Sequence, residues 1–369
     1  MVDLQVQYQY LKKEIDSAIQ EVLESTAFIN GPQVERFSKQ LANYLEADSV
    51  ITCANGTDAL QIALMSLGLE KGSGVLVPAF TYPAAVEVIL LLDLEPILVD
   101  VDPDTFNMDV KLLEKATTPS TKAIIPVHLF GQACDMESIM AFAERHQLKV
   151  IEDNAQSIGA NYLFSDGRVR RLGTIGHIGC TSFFPSKNLG CFGDGGAIIC
   201  NDNQLAKTLK MIANHGQSQK YVHEVVGCNS RLDTIQAAVL EIKLKMLDQF
   251  NEQRIRIADR YDEAFHQISG LQIPKRSKNS SHVFHQYTLK VNEGKRDALK
   301  KHLIGHKIDA MIYYPRAIHH QTAYQSPKAD IHLPVAEKLA EEVISLPIYP
   351  EMSNENQSRI IKEIKHFFK

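Results

Sequence analysis

The sequence predicts an α/β protein in which a seven-stranded, mostly parallel sheet forms a large domain and a small α+β domain follows at the C terminus. Three observations lead to this prediction. At 369 residues the chain is too long for one small core. Short β-rich runs alternate with amphipathic segments through the first two-thirds of the chain, and this alternation stops after Ser230.

Seven runs rich in β-branched and apolar residues are predicted as the strands of the sheet. Segments with helical spacing lie between several of them, namely Thr57–Leu67, Pro83–Leu92 and Met136–His146. Because parallel strands need a crossover connection, this order favours a mostly parallel sheet covered on both faces. The predicted strands are Val50–Ala54, Gly74–Pro78, Pro96–Asp100, Lys122–Leu129, Lys149–Asp153, Cys180–Phe184 and Gly195–Cys200.

A longer helical pattern follows the last of these strands. From Asp233 to Phe265 apolar residues recur at helical spacing, over a length that can connect two domains. A strand-like run, Val283–Val291, and a further helix near Lys295–Ile304 come after it. We therefore predict a large domain over residues 1–250, which includes an N-terminal helix, and a small domain over 251–369.

Composition and charge exclude several classes of protein. The formal net charge is −5 and no stretch is densely basic, which argues against nucleic acid or an anionic membrane surface as the main partner. The N-terminal residues lack the pattern of a signal peptide, and the longest apolar run, Val86–Leu94, is interrupted by Asp93 and is too short to span a bilayer. The six cysteines form no C-x-x-C pair, so reduced thiols are expected. We expect a cytoplasmic enzyme.

Polar clusters follow five of the predicted strands. In open α/β sheets ligands bind outside the carboxyl ends of the strands, so these clusters predict one binding site at one edge of the sheet. They read C-A-N-G-T-D-A-L, A-F-T-Y-P, H-L-F-G-Q, E-D-N-A-Q-S and P-S-K-N-L-G.

Two of the clusters offer groups for an anion and a cation. Gly56 and Thr57 stand where a strand gives way to a helix, and free N–H groups there can bind an anion, although an ordinary helix cap is the alternative. Asp153 ends a buried strand, where a carboxylate is costly unless a cation meets it. The protonated ring nitrogen of pyridoxal phosphate (PLP) is such a cation. A cap for the next helix explains Asp153 about equally well.

Lys187 is the candidate nucleophile. It follows a strongly apolar strand and precedes a glycine-rich turn with Gly193, Gly195 and Gly196. A lysine that is desolvated has a lowered pKa and can attack an aldehyde. Ser182, five residues earlier, can donate a hydrogen bond to a phosphate. Taken without its neighbours, Lys187 would be interpreted as a solvated loop residue.

The order of these motifs resembles the DegT/DnrJ/EryC1/StrS family of sugar aminotransferases. G-T-D-A-L, E-D-x-A-Q-S, S-F-x-P-S-K-x-L-G, G-D-G-G and G-x-N-S-R-L-D follow one another as in that family, and the resemblance covers essentially the whole chain. It implies the type I (aspartate aminotransferase-like) fold of PLP-dependent transferases. It also implies a homodimer with the active site shared across the subunit interface.

The resemblance assigns a role to each candidate residue. Lys187 would form the Schiff base with PLP and would shuttle a proton, and Asp153 would pair with the pyridine nitrogen. The other cofactor contacts would be Gln156 on the ring oxygen, Tyr82 on the ring face, Gly56, Thr57 and Ser182 on the phosphate, and Asn229 on the phosphate from the partner subunit.

The residues within the motifs are most similar to those of the subgroup that acts on UDP-2-acetamido-2-deoxy-3-oxo-glucuronate. In that subgroup glutamate is the amino donor and 2-oxoglutarate is its product. That subgroup serves surface polysaccharide (lipopolysaccharide and O-antigen) biosynthesis. Arg231 would then pair with the sugar carboxylate, and Tyr314 and His319 would line the nucleotide-sugar pocket. The alternative substrate is a dTDP-3-keto or dTDP-4-keto-6-deoxyhexose.

Other interpretations fit the sequence less well. A PLP-dependent dehydratase of this family would carry His in place of Lys187, and a PLP-binding regulatory protein would carry an added DNA-binding or sensor segment. A nicotinamide-dependent dehydrogenase would need a G-x-G-x-x-G fingerprint, which is absent. His302 and His306, and the pair His319–His320, have no third metal ligand near them in sequence, so no metal site is predicted.

Overall fold

The computed structural model describes residues 1–324 and 331–369. Fourteen strands form within these ranges. They are β1 (Ser49–Cys53), β2 (Gly74–Pro78), β3 (Glu95–Val99), β4 (Thr121–Ile124), β5 (Lys149–Asp153), β6 (Asn161–Leu163), β7 (Val169–Arg171), β8 (Ile178–Ser182), β9 (Gly196–Cys200), β10 (Gln217–Gln219), β11 (Val222–His223), β12 (Leu271–Gln272), β13 (Tyr287–Val291) and β14 (Val343–Leu346).

Twelve α-helices surround and connect these strands within the same ranges. They are α1 (Leu4–Ser25), α2 (Pro32–Leu45), α3 (Gly56–Ser66), α4 (Ala84–Leu91), α5 (Leu113–Ala116), α6 (Met136–His146), α7 (Asn203–Ala213), α8 (Thr234–Leu244), α9 (Leu247–Phe265), α10 (Arg296–Gly305), α11 (Pro334–Glu342) and α12 (Asn354–Phe367).

The seven-stranded, mostly parallel sheet is confirmed. Its strand order is β1-β9-β8-β5-β4-β2-β3, and β9 alone runs antiparallel to its neighbours in it. The prediction of a strand over Lys122–Leu129 is wrong in its second half, because β4 ends at Ile124. Pro126 has no N–H to donate to a ladder, and beyond it only a single bridge joins Val127 to Asp153.

Both faces of the sheet are buried, as a parallel sheet requires. Along β2, Val75 and Val77 pack into the cluster with α3, α4 and α7, whereas Leu76 between them packs into the cluster with α6. The period of two along a strand produces this division. On β9, Ile198 joins the first cluster and Ile199 joins a third one formed with α2 and α8.

The long helical pattern from Asp233 to Phe265 forms two helices rather than one. The chain contains no Gly or Pro at the break between α8 and α9, and tertiary packing accounts for it. α8 packs against α1 and α2, whereas the later turns of α9 enter a separate core. That core lies against the antiparallel sheet β12-β13-β14. The division between residues 250 and 251 falls inside α9 and stays a prediction.

The cysteines and the helices agree with two further expectations. All six cysteines are free thiols, and five of them are buried. Over residues 1–324 and 331–369, no helix has both the length and the apolar character needed to cross a membrane.

Close backbone contact between β9 and the turn before α3 requires glycine at position 196. A Cβ atom on Gly196 would lie 2.4 Å from the carbonyl carbon and oxygen of Asn55 and 2.9 Å from the amide nitrogen of Gly56. These neighbours are backbone atoms, so they cannot move aside as the end of a side chain can.

We therefore predict that Gly196→Ala lowers the free energy of unfolding by about 1–3 kcal/mol, the usual cost of overpacking. Urea unfolding followed by circular dichroism measures the change. Gly305→Ala is the matched control, because nothing lies within 4 Å of the added Cβ there. Equal unfolding midpoints for Gly196→Ala and the unmodified chain would contradict the prediction.

Candidate active site

The carboxyl ends of β1 and β8 meet at the start of α3. A Cβ atom on Gly56 would lie 2.7 Å from the Cβ of Ser182, so these two predicted phosphate contacts are neighbours. Asn55 caps the helix, its side-chain oxygen accepting a hydrogen bond from the Asp58 amide at 2.8 Å. The first-turn amides of Gly56 and Thr57 have no acceptor within the helix. Together with the Ser182 hydroxyl they form a cradle suited to an anion.

The end of β5 carries two carboxylates that point to opposite faces of the sheet. Glu152 is completely buried and accepts hydrogen bonds from His128 Nε2 at 2.8 Å and from three backbone amides of the 173–176 loop at 2.6–2.9 Å. Burial by itself raises the pKa of Glu152, but the hydrogen bonds outweigh it and hold the pKa below its usual value. Glu152 is therefore a satisfied structural anion.

Asp153, the next residue, is buried without such satisfaction. It is 8% exposed, and among the described residues its carboxylate accepts a hydrogen bond only from the Ala155 amide, at 3.0 Å. Burial raises the pKa of Asp153, and the Ala155 amide and the charges of Lys187 and His128 offset this only in part. Asp153 thus has capacity for a cationic ligand, which is the property that the sequence argument required.

Lys187 lies close enough to Asp153 for their charges to interact, but no ion pair joins them. Burial lowers the pKa of Lys187 to about 8, and the Asp153 carboxylate opposes that shift. Within the described part of the chain, the ammonium group of Lys187 forms no hydrogen bond. A lysine with this pKa is substantially neutral at mildly alkaline pH, so its amine can act as a nucleophile.

The loop that carries Lys187 is anchored by residues that sequence reasoning missed. Asn188 donates to Asn251 Oδ1 at 2.7 Å and to the Val283 carbonyl at 3.1 Å. Lys243 is buried and donates to the Gly190 carbonyl at 2.7 Å. Asn188 lies within a quoted motif and could have been suspected. Nothing in the local sequence around Asn251 or Lys243 indicates a role at this loop.

Gln156, Tyr314 and Tyr82 lie along one side of the site. The Phe130 amide donates to Gln156 Oε1 at 2.8 Å, and Gln156 Nε2 donates to the Tyr314 hydroxyl at 3.2 Å. The Tyr314 ring centre is 6.3 Å from that of Tyr82, which is 57% exposed. An exposed aromatic face beside a buried polar pair is suited to cover a planar ligand.

The remaining predicted residues divide into two groups. Ser230 donates to Asp58 at 2.6 Å and accepts from the Ala54 amide at 3.0 Å, which holds its neighbours Asn229 and Arg231 beside the start of α3. Asn229 is exposed, and its contact across a dimer stays a prediction. His319 is instead buried and bonded to Glu337 at 3.0 Å, so its Nε2 atom is already used within the chain.

The described groups fit PLP in three respects. The cradle at Gly56, Thr57 and Ser182 is complementary to a phosphate, the unpaired Asp153 to a protonated ring nitrogen, and the low-pKa Lys187 to an aldehyde. The three features lie on loops at the same edge of the sheet, after β1, β5 and β8.

Curated relatives match the chain over nearly its whole length. It is 44% identical over 372 residues to the pleiotropic regulatory protein of Geobacillus stearothermophilus, covering 100% of this chain and 98% of that protein. It is 44% identical over 349 residues to the UDP-2-acetamido-2-deoxy-3-oxo-D-glucuronate aminotransferase of Pseudomonas aeruginosa, covering 95% and 94%. A dTDP-3-amino-3,4,6-trideoxy-alpha-D-glucose transaminase of Streptomyces venezuelae is 39% identical, covering 99% and 95%.

Solved structures show the same fold. A DegT DnrJ EryC1 StrS aminotransferase from Brucella abortus superposes with a TM-score of 0.93 at 42% identity, covering 100% of this chain and 98% of that one. NtdA from Bacillus subtilis, solved with bound pyridoxamine phosphate, superposes with a TM-score of 0.89 at 35% identity, covering 96% and 81%. The family description itself matches residues 9–365. The chain belongs to the DegT/DnrJ/EryC1/StrS aminotransferase family, whose type I fold it shares.

Proposed function

We propose that this aminotransferase moves an amino group from glutamate to the keto carbon of UDP-2-acetamido-2-deoxy-3-oxo-glucuronate, in a pathway that makes surface polysaccharide such as lipopolysaccharide O-antigen. We further propose that it acts as a homodimer whose two active sites are shared across the interface. Membership of the family supports a sugar aminotransferase. The low pKa of Lys187 beside the unpaired Asp153 is the single observation that carries the catalytic assignment.

The cofactor is PLP, which when bound supplies an electron sink for the substrate carbon. Lys187 is the only lysine among the described residues that combines a position at this sheet edge with a strongly lowered pKa opposite a buried acid. The other lysine of lowered pKa, Lys243, is already hydrogen-bonded to Gly190. Lys187 therefore holds the cofactor and, as a neutral amine, takes and returns the substrate proton.

Asp153 would act as a charged partner of the cofactor's ring nitrogen. Burial raises the pKa of Asp153 in the chain alone, and a ring N–H⁺ would oppose that shift. Gln156 is held from both ends by the Phe130 amide and the Tyr314 hydroxyl, so its side chain is oriented before the cofactor arrives. The Tyr82 ring, beside Tyr314, would cover the face of the cofactor ring that is open to solvent.

Two observations support a uronate rather than a neutral sugar. The P. aeruginosa relative that acts on the oxo-glucuronate is 44% identical. Arg231 stands beside the start of α3 and, over residues 1–324 and 331–369, forms no ion pair with a carboxylate of the chain. A guanidinium left free near the site can bind a substrate carboxylate bidentately.

The second candidate is a dTDP-linked 3-keto hexose, favoured by the S. venezuelae transaminase at 39% identity. A purely regulatory function is a weaker candidate, even though the G. stearothermophilus relative is named a regulatory protein. A protein that only binds PLP has no need for a lysine whose pKa is matched to proton transfer.

Lys187→Ala is predicted to abolish transamination and covalent attachment of the cofactor. The unmodified chain, reduced with borohydride in the presence of PLP, should gain the mass of one pyridoxyl phosphate on the peptide that contains Lys187. The variant should gain none. Lys149→Ala, at the exposed opposite end of β5, is the control and should behave as the unmodified chain. Labelling of another lysine in the unmodified chain would contradict the assignment.

The rate of PLP uptake by the cofactor-free chain is predicted to depend on pH through Lys187. Since its pKa is lowered from 10.5 to about 8, the neutral amine predominates above pH 8, and the uptake rate should rise with pH through a midpoint near that value and level off above it. The Asp153 carboxylate raises the pKa of Lys187, so Asp153→Asn should move the midpoint to lower pH. Glu95→Gln, at an exposed position, is the control. A midpoint near 10 in the unmodified chain would disprove the argument.

Arg231→Gln is predicted to distinguish the substrates. We would measure the full reverse reaction, in which the amino group leaves the sugar and 2-oxoglutarate accepts it, with the UDP-linked 3-amino uronate and with its analogue that carries a CH2OH group instead of the carboxylate. The variant should lose at least tenfold in kcat/KM for the uronate and little for the analogue, since only the former pairs with the guanidinium. Equal losses for both sugars, or turnover of dTDP-3-amino sugars alone, would reject the uronate and leave the aminotransferase assignment in place.

A further inference from the structure

Three side chains far from the sheet edge converge on one point between α10 and α12. Nε2 of His302 and Nε2 of His306 lie 3.5 Å and 3.4 Å from the same oxygen, Oε2 of Glu363. His302 lies on α10, His306 is the residue that caps the C-terminal end of that helix, and the glutamate comes from α12. Tertiary structure therefore brings a carboxylate, which lies far away in sequence, next to the two histidines.

The two distances from histidine Nε2 to Glu363 Oε2 are longer than ordinary hydrogen bonds, but they are shorter than the separation expected of groups that do not interact. Good N–H···O bonds span about 2.7–3.2 Å. His302 Nε2 is buried and, among the described residues, has no hydrogen-bond partner. Two ligands bound to one tetrahedral Zn²⁺ at about 2.0–2.2 Å lie about 3.4 Å from each other. The two observed distances from Nε2 to Oε2 are close to the length of an edge of such a tetrahedron.

The hydrogen bond on the other side of His306 fixes its tautomer. Nδ1 of His306 lies 2.8 Å from the His302 carbonyl oxygen, which can only accept, so Nδ1 carries the hydrogen. In the neutral ring Nε2 then carries a lone pair, and it faces a carboxylate oxygen that also carries lone pairs. A cation between the two atoms removes that repulsion. A backbone carbonyl bonded to the far nitrogen is the usual support of a metal-binding histidine.

Burial and charge also suit a divalent ion. The side chains of His302 and Glu363 are 19% and 14% exposed, whereas His306 is 47% exposed, so the position is sheltered yet open to solvent on one side. Water can therefore take the fourth coordination position. One carboxylate with two neutral imidazoles leaves a divalent ion with a single net charge.

We propose that His302, His306 and Glu363 form a surface site for a divalent transition-metal ion, with Zn²⁺ as the ion it fits best. The ion joins α10 to α12 and makes no contact with Lys187 or Asp153. It is a site for binding and bracing, separate from transamination.

A second histidine cluster does not support the same inference. His319, His320 and Glu337 also lie near one another. There, however, the Glu337 carboxylate already accepts hydrogen bonds from His319 Nε2 at 3.0 Å, from His332 Nδ1 at 3.1 Å and from the Leu333 amide at 2.9 Å. All three bonds are accepted by Oε1, and the other oxygen, Oε2, lies 3.0 Å from His332 Nδ1, so both oxygens have partners without an ion.

Isothermal titration of Zn²⁺ into the PLP-loaded chain, purified without a polyhistidine tag and stripped of metal, tests the proposal. One ion per chain should bind, and the melting temperature should rise with it. His306→Gln and Glu363→Gln should each weaken binding at least tenfold and remove the rise in melting temperature, while transamination is unchanged. Co²⁺ in place of Zn²⁺ should give the visible bands of a tetrahedral site.

Two controls separate this site from general histidine binding. His266→Gln alters an exposed histidine in neither cluster, and His332→Gln alters the second cluster, so both should bind Zn²⁺ as the unmodified chain does. Loss of binding in His332→Gln would move the ion to Glu337 and overturn the proposal. So would the absence of stoichiometric uptake by the unmodified chain, or unchanged binding in both His306→Gln and Glu363→Gln.

Discussion

The alternation of side chains at the end of β5 is the constraint on which the site depends. Glu152 and Asp153 are adjacent, so the pleat sends them to opposite faces, and the layers on both sides of the sheet leave neither in water. The fold compensates Glu152 internally, with His128 and the 173–176 amides. Among the described residues, no cation is hydrogen-bonded to Asp153. Of these two adjacent acids, Glu152 therefore stabilises the fold, whereas Asp153 remains able to accept a cationic ligand.

An uncompensated acid and a desolvated lysine in one small volume are costly, and they persist only where the surrounding structure prevents them from collapsing together. Here the backbone that follows Lys187 is fixed by hydrogen bonds to other parts of the chain. Asn188 is committed to Asn251 and Val283, and the Gly190 carbonyl is committed to Lys243. These bonds fix the course of the loop, and in this arrangement Lys187 and Asp153 interact through their charges without forming an ion pair.

Local pattern was enough to predict the seven strands, their parallel arrangement and the residues at their carboxyl ends, because apolar periodicity and strand-to-helix transitions are local properties. The features that were missed depend on contacts between residues that are distant in sequence. The break between α8 and α9 carries no Gly or Pro, and its cause is packing against α1 and α2. Glu363 and Asn251 have unremarkable neighbours in sequence, and only the folded chain brings the first to His306 and the second to Asn188.

The shortened strand β13 explains how the C-terminal region acts on the site. A strand was predicted from Val283, but the ladder begins at Tyr287 because the preceding backbone bonds to the catalytic loops instead. The Val283 carbonyl accepts from Asn188, next to Lys187, and the Gln286 amide donates to the carbonyl of Phe130, whose own amide orients Gln156. Residues 283–286 therefore hold both the lysine loop and the glutamine through main-chain groups. Because main-chain groups are present whatever the side chains are, this contact can keep the cofactor site constant while the side chains around it change with the sugar.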